Sequence, residues 1–171
     1  MTTDERLRVM LAESAIKDVQ LRYCRGIDRL DWDLIEGCFH PDAIHDLGPF
    51  KGTVAEFIPW ASKLLPQYQS TTHLSGGQTV LQVSGDTAWA EHYVRAYHRT
   101  APSATEPATE WIINLRYIDR MSCRNDEWRI AHRQCVCESQ RVDVLDSAGA
   151  ELGPEWARGR RDHTDPSYRR D

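Results

Sequence analysis

The stretch "QSTTHLSGG", residues 69–77, sets one histidine between two threonines and a glycine pair, at what reads as the mouth of a strand. An imidazole at such a place can cap, ligate a metal, fill space or move protons, and its available partner decides which. Asp28, in "RYCRGIDRLDWD", is the candidate partner. It lies roughly 120° around the helical wheel from Ile16, at the edge of an apolar stripe and beside Leu21 and Cys24. A half-buried carboxylate there needs a partner. If the sheet folds back over this helix end, His73 supplies one. The carboxylate then accepts one ring N–H, fixes the tautomer and leaves the other nitrogen as a base. Taken singly, each residue also has a plainer reading: Asp28 as a solvated or capping residue, His73 as a satisfied strand-edge histidine.

Other chemistries have less support. His40, His45, His73, His92 and His98 show neither a helical H-x-x-x-H nor a Cys/His knuckle spacing, so no metal site is expected. There is no Gly-rich phosphate loop, serine nucleophile elbow or dinucleotide fingerprint, and no cofactor is expected. Gly76-Gly77 precedes no helix and reads as a bend or bulge that lets a sheet curl. The five cysteines (24, 38, 123, 135, 137) form no C-x-x-C pair. Cys135 and Cys137, two apart on one strand face, have poor disulfide geometry and read as small buried hydrophobes.

The net charge of −5 argues against a nucleic-acid partner. The N-terminal "MTTDERLRVMLAESA" has no apolar leader, and no apolar run approaches a membrane span. With the cysteine pattern, these features lead us to expect a cytoplasmic protein without a membrane partner.

Stepping outward, 171 residues suit one domain with a real core. "ESAIKDVQLRYCRGIDRL" carries a helical stripe at 16, 19, 23, 27 and 30. "DWDLIEGCF" reads as a short helix with Asp31 as N-cap and Gly37 as stop. "AIHDLG" reads as a strand. Thr53-x-x-Glu56 is a capping box opening a second long helix, with a distortion expected at Pro59. The period then changes to two. "THLSGGQTVLQVS", "TAWAEHYVRAYHR", "TEWIINLRYIDRM" and "EWRIAHRQCVCESQR" read as four long strands joined by turn residues.

Helices followed by antiparallel strands give an α+β fold, a curved sheet wrapped around N-terminal helices with an internal cavity. The domain is expected over 1–141 and an arm over 142–171, packing on the domain or on a partner. On strand 87–99, Ala88, Ala90, His92, Val94, Ala96 and His98 share one face, whose small residues leave room for a ligand. Trp89, Glu91, Tyr93, Arg95 and Tyr97 share the other, which suits a subunit contact in a homodimer or homotrimer.

"IDRLDWD" followed by "TTHLSGG" resembles the scytalone dehydratase and bile-acid 7α-dehydratase branch of the SnoaL-like, NTF2-like superfamily, over about residues 13 to 137. That resemblance implies an NTF2-like cone and places Asp28 and His73 as the catalytic pair. It also puts His98 at a second histidine of scytalone dehydratase and Tyr23 at a catalytic tyrosine of the bile-acid enzyme. The chain departs from scytalone dehydratase at Ile27 and Leu47, where that enzyme carries tyrosines, which favours the Tyr23 form of the site.

The expectation is therefore a cofactor-independent dehydratase, a lyase acting on a hydroxylated cyclic ketone, steroid-like or polyketide-like. His92, Val94, Asn114 and Trp60 are the expected contacts to such an apolar substrate. An isomerase or cyclase of the same substrates, or a non-catalytic small subunit of a ring-hydroxylating dioxygenase, is the alternative.

Overall fold

Helix α1 spans Thr3–Arg29 and begins well before the apolar stripe that announces it at residue 16. Its first turns are exposed, so they carry no stripe, and a capping box starts them instead. Glu5 N–H donates to the Thr2 hydroxyl at 3.2 Å, and Thr2 N–H donates to the Glu5 carboxylate at 2.6 Å. The helix ends on Leu30, which takes a left-handed conformation with φ of 54°. Helix α2 (Trp32–Glu36) follows, capped by Asp31 as the sequence suggests. Gly26 permits this tight reversal: a Cβ there would come within 2.6 Å of Ile35 Cγ1. Gly37 ends α2 in a right-handed conformation, so its conformational freedom is not what stops the helix.

In this computed structural model, which describes residues 1–145 and 153–169, a six-stranded sheet wraps the helices. Its strands are β1 (Phe39–Asp46), β2 (Lys51–Gly52), β3 (Ser70–Ser84), β4 (Thr87–Arg99), β5 (Thr109–Arg124) and β6 (Glu127–Val144). The order is β2-β1-β6-β5-β4-β3. All pairings are antiparallel except β1 with β6, which is parallel. Helix α3 (Val54–Leu64) runs through Pro59 without ending and passes into a 3₁₀ turn at Leu65–Gln67. Gly76 falls at a register shift between Ser75 and Gly77, the bulge expected of the glycine pair. The expected boundary after residue 141 falls inside β6, which continues to Val144.

The concave face of β4 alternates as expected, with Ala88, Ala90, His92, Val94, Ala96 and His98 all buried. It closes over Ile16, Val19, Tyr23 and Ile27 of α1 and Phe57 and Ala61 of α3 in one core. The convex face carries cross-strand polar ladders. Arg116 bridges Glu91 and Glu138 at 2.6 Å each, and Asn114 links Arg95 Nε (2.9 Å) to Ser139 Oγ (2.9 Å). Asn114 therefore points away from the cavity, contrary to its expected role as a substrate contact. Alternation along β5 gives the cavity face to Ile113 and Leu115 on either side of it, and the extra residue at the register shift here, Glu138, lies in β6. Among the described residues no helix is long and apolar enough to cross a membrane.

Candidate active site

A cavity of about 330 Å³ opens between α1, α3 and the concave sheet face, within the size range of small-molecule sites. Its wall is mostly apolar and aromatic, including Ile27, Phe57, Trp60, Tyr68, Trp111 and Leu115. Trp60, an expected substrate contact, lines it. His92 and Val94 do not: both are buried, but they lie in the packed core rather than in the cavity wall. His92 stacks edge-on against Tyr117 at 5.0 Å, and burial pushes its pKa down to about 3, with Arg133 adding to the shift. Curvature accounts for the difference. Period two places residues on a face, but only the narrowing of the cone decides which of them reach the open end.

The polar wall is made by α1 and β3. Residue 28 sits on the last turn of α1, and β3 crosses that helix end, so Asp28 meets Thr71 and His73. His73 Nδ1 lies 2.7 Å from Asp28 Oδ1. The same carboxylate accepts the His73 backbone N–H at 2.8 Å on Oδ2 and the Thr71 hydroxyl at 2.9 Å on Oδ1. Two donors besides the imidazole thus hold the carboxylate in its acceptor orientation, which places the ring proton on Nδ1. The pair is nearly covered, with side-chain exposures of 6% for His73 and 14% for Asp28. With Nδ1 committed, Nε2 is the ring atom left to meet a ligand in the cavity that His73 lines.

His98 stands across from Thr71 in the β3–β4 register and also lines the cavity. Its ring lies edge-on to His73 at 5.4 Å and contacts Tyr68 at 5.0 Å and Trp111 at 5.6 Å. Burial, and next the nearby His73, push its pKa down to about 4. At neutral pH His98 is therefore an uncharged imidazole that can donate one hydrogen bond but brings no stored proton.

Tyr23 lies deeper. Its hydroxyl is 3.3 Å from His45 Nε2, and its ring packs edge-on against Phe39, His45 and Tyr117. Burial raises its pKa above the ordinary tyrosine value, with Arg133 opposing the rise. It can donate a hydrogen bond into the cavity it lines but is no base near neutral pH.

Beneath the cavity lies a pair that the sequence reading did not single out. Arg133 is fully buried and binds Asp119 bidentately, Nε to Oδ1 and Nη2 to Oδ2, both at 2.7 Å. Its guanidinium lies between the rings of Tyr23 and Tyr117, 4.3 Å from each. Gln20 adds a 3.3 Å bond to Asp119. A signal was available: Arg133 falls on the face of Ala131, Cys135 and Cys137, a long cation among small residues. Cys135 and Cys137 share the cavity wall, although Cys137 is exposed rather than buried because the cone opens there. All five cysteines are unpaired. No cluster of His, Cys, Asp and Glu among the described residues could hold a metal ion.

Residues 8–134 match the SnoaL-like domain. No curated protein matches the chain. A hexachlorocyclohexane dehydrochlorinase, LinA-type3 from Novosphingobium barchaimii, shares the fold with a TM-score of 0.71 at 15% identity, over 87% of this chain and 99% of that one. A putative scytalone dehydratase from Novosphingobium aromaticivorans gives 0.68 at 18% identity, over 88% of this chain and all (100%) of its own. The beta subunit of a putative aromatic-ring-hydroxylating dioxygenase from the same organism gives 0.60 at 17%, over 78% and 93%. At these identities the likeness is one of fold.

Proposed function

The chain belongs to the SnoaL-like family, with its NTF2-like cone, and from that premise we propose that it is a cofactor-independent hydro-lyase. Its substrate would be a hydroxylated cyclic ketone, steroid-like or polyketide-like, of a size and apolarity that suit the cavity. One observation carries the reading: the 2.7 Å His73–Asp28 contact, with its carboxylate held by two further donors, in the wall of an apolar cavity.

His73 Nε2 takes the proton α to the carbonyl, or its vinylogous equivalent, and Asp28 stabilises the imidazolium. Charge moves to the carbonyl oxygen, where the Tyr23 hydroxyl or the neutral His98 donates a hydrogen bond. Electrons then return to form the C=C bond as the C–O bond breaks. In a syn elimination the imidazolium gives its proton to the departing hydroxyl, so water leaves and His73 is restored. General acid–base help of this kind is worth ~10²–10⁴-fold, and oxyanion stabilisation adds to it.

The same proton abstraction without a leaving group would give an isomerase. One fold neighbour is the beta subunit of a putative dioxygenase, but a subunit that acted only by assembling would have no need of a carboxylate oriented on a cavity histidine. We read the convex face, with Trp89 and Tyr93 about half exposed, as the contact of a cytoplasmic homodimer or homotrimer. The test is a panel of hydroxylated cyclic ketones, followed by absorbance of the conjugated enone. Turnover by the native chain and its loss in His73→Ala are expected. No enone from the native chain on any member of the panel would end the lyase reading, and near-normal turnover in His73→Ala would end the role of His73 as its base.

A further inference from the structure

We propose that Arg161, in the C-terminal arm, is a positioning residue for the Asp28–His73 pair, and that the arm is thereby part of the catalytic scaffold. This rests on the reading of that pair as catalytic. It does not rest on the family match, which ends at residue 134.

The arm is organised before it reaches the site. The buried Asp165 carboxylate accepts the backbone N–H groups of Arg160 at 2.8 Å and Ser167 at 3.0 Å, and lies 3.6 Å from Arg29 Nε. Tyr168 donates to Asp31 Oδ2 at 2.7 Å, and its ring carries the Arg25 guanidinium 4.6 Å above it. The arm therefore grips α1 on both sides of Asp28 in sequence.

Arg161 is the side chain that the gripped arm delivers inward. Its Nη1 donates to the carbonyls of Leu65 (2.7 Å) and Tyr68 (2.8 Å), just before β3. Its Nη2 donates to Thr71 Oγ1 at 3.3 Å, and Nε reaches the Asp28 carbonyl at 3.4 Å. One planar guanidinium thus ties together the end of α1, the turn after α3 and the start of β3, the elements whose meeting creates the pair. It also sets a rotor. A Thr71 hydroxyl that accepts from Arg161 has its proton free to point at Asp28, where it donates at 2.9 Å. The fork geometry matters because an ammonium cannot serve these directions together.

Removing an outer partner of a metal-bound histidine costs ~10–100-fold, and a loss of about tenfold is expected here. The experiment uses the full chain with ¹⁵N-labelled histidine, as Arg161→Ala, Arg161→Lys and the native protein. Long-range ¹H–¹⁵N spectra read the tautomer of His73 and the solvent exchange of its Nδ1 proton. In Arg161→Ala that proton should exchange about tenfold faster, with a shift towards mixed tautomers, and Arg161→Lys should fall between. On any ketone that the native chain dehydrates, kcat should fall about tenfold in Arg161→Ala while KM stays within about twofold.

A lowered melting temperature with an unchanged His73 resonance and kcat would overturn the proposal, leaving Arg161 a structural tie. If Arg161→Ala does not fold, Arg161→Lys decides by the same resonance, and an unchanged one overturns it. Failure of the reading of the pair as catalytic looks different: His73→Ala keeps its turnover while Arg161→Ala still perturbs the His73 ring.

Discussion

Two carboxylates in this cone each meet a nitrogen side chain, one pair at the cavity wall and one beneath it, and their contact distances are the same. Asp28 and His73 meet at 2.7 Å at the cavity wall, and Asp119 and Arg133 meet at 2.7 Å beneath it. The upper pair keeps slight exposure, whereas the lower has none. The upper partner is an imidazole, whose second ring nitrogen faces the cavity and can accept a proton from a ligand. The lower partner is a guanidinium, which has only donors and stays charged. Burial works against the charge of Arg133, but Asp119 and the two tyrosines outweigh it, and its pKa is raised above an already high value. Similar hydrogen bonds therefore serve different ends, decided by access to the cavity and by whether the nitrogen partner has an acceptor site to spare.

The largest expected effects separate the pairs by what each loss disturbs. His73→Ala should cut kcat by about 10²–10⁴. Asp28→Asn should cost a comparable amount, because an amide can turn its own N–H toward the ring and favour the wrong tautomer. Since the two act as a unit, the double variant should be little worse than His73→Ala. All three should stay folded by circular dichroism. A double variant losing the product of the single effects would break the unit.

Arg133→Ala should invert that pattern. It leaves a carboxylate buried without its cation and should cost about 3–5 kcal/mol in urea unfolding. Arg133→Met combined with Asp119→Leu should cost far less, because no charge stays behind. If Arg133→Ala proved as stable as the native protein, the contrast between the pairs would collapse.

Acidification gives a smaller, graded effect. The folded-state pKa values of His98 and His92 lie at about 4 and about 3, below an ordinary 6.5. For a depressed histidine the unfolded chain takes up protons first. The stability contributed by these two is therefore fully present above about pH 6.5 and is lost as pH falls through the folded values. Each contributes on the order of 3 kcal/mol to that loss. Urea midpoints from pH 7 to 4 measure it, and His92→Gln should flatten the slope. A slope unchanged in that variant would contradict the buried neutral state.

The smallest effect belongs to the convex face. Asn114→Ala removes two partly exposed hydrogen bonds and should alter turnover less than twofold and stability by about 0.5 kcal/mol. A large loss of turnover would return Asn114 to the cavity and contradict the register.

Several features were legible in the sequence because their causes are local. Thr53 N–H donates to the Glu56 carboxylate at 2.7 Å, as S/T-x-x-E spacing foretells. Strand β4 has the bounds and the face that its alternation predicts, and the glycine pair marks the bulge. Asp28 was legible as a carboxylate at the edge of an apolar stripe. What the sequence determined by itself was thus periodicity, caps, bends and the presence of a charge in want of a partner, all set by neighbours a few residues away.

Tertiary structure decided the rest. Asp119 and Arg133 are opposite partners in the β5–β6 register, so their pairing exists only once that register forms. Cone curvature placed His92 in the core and Trp111 in the cavity wall, a difference of depth that no period encodes. Arg161 lies far along the chain from Thr71 and reaches it through an arm whose sequence carries no periodicity. Such contacts depend on where a folded surface brings distant side chains, and the chain closes those long loops only when the core beneath them has packed.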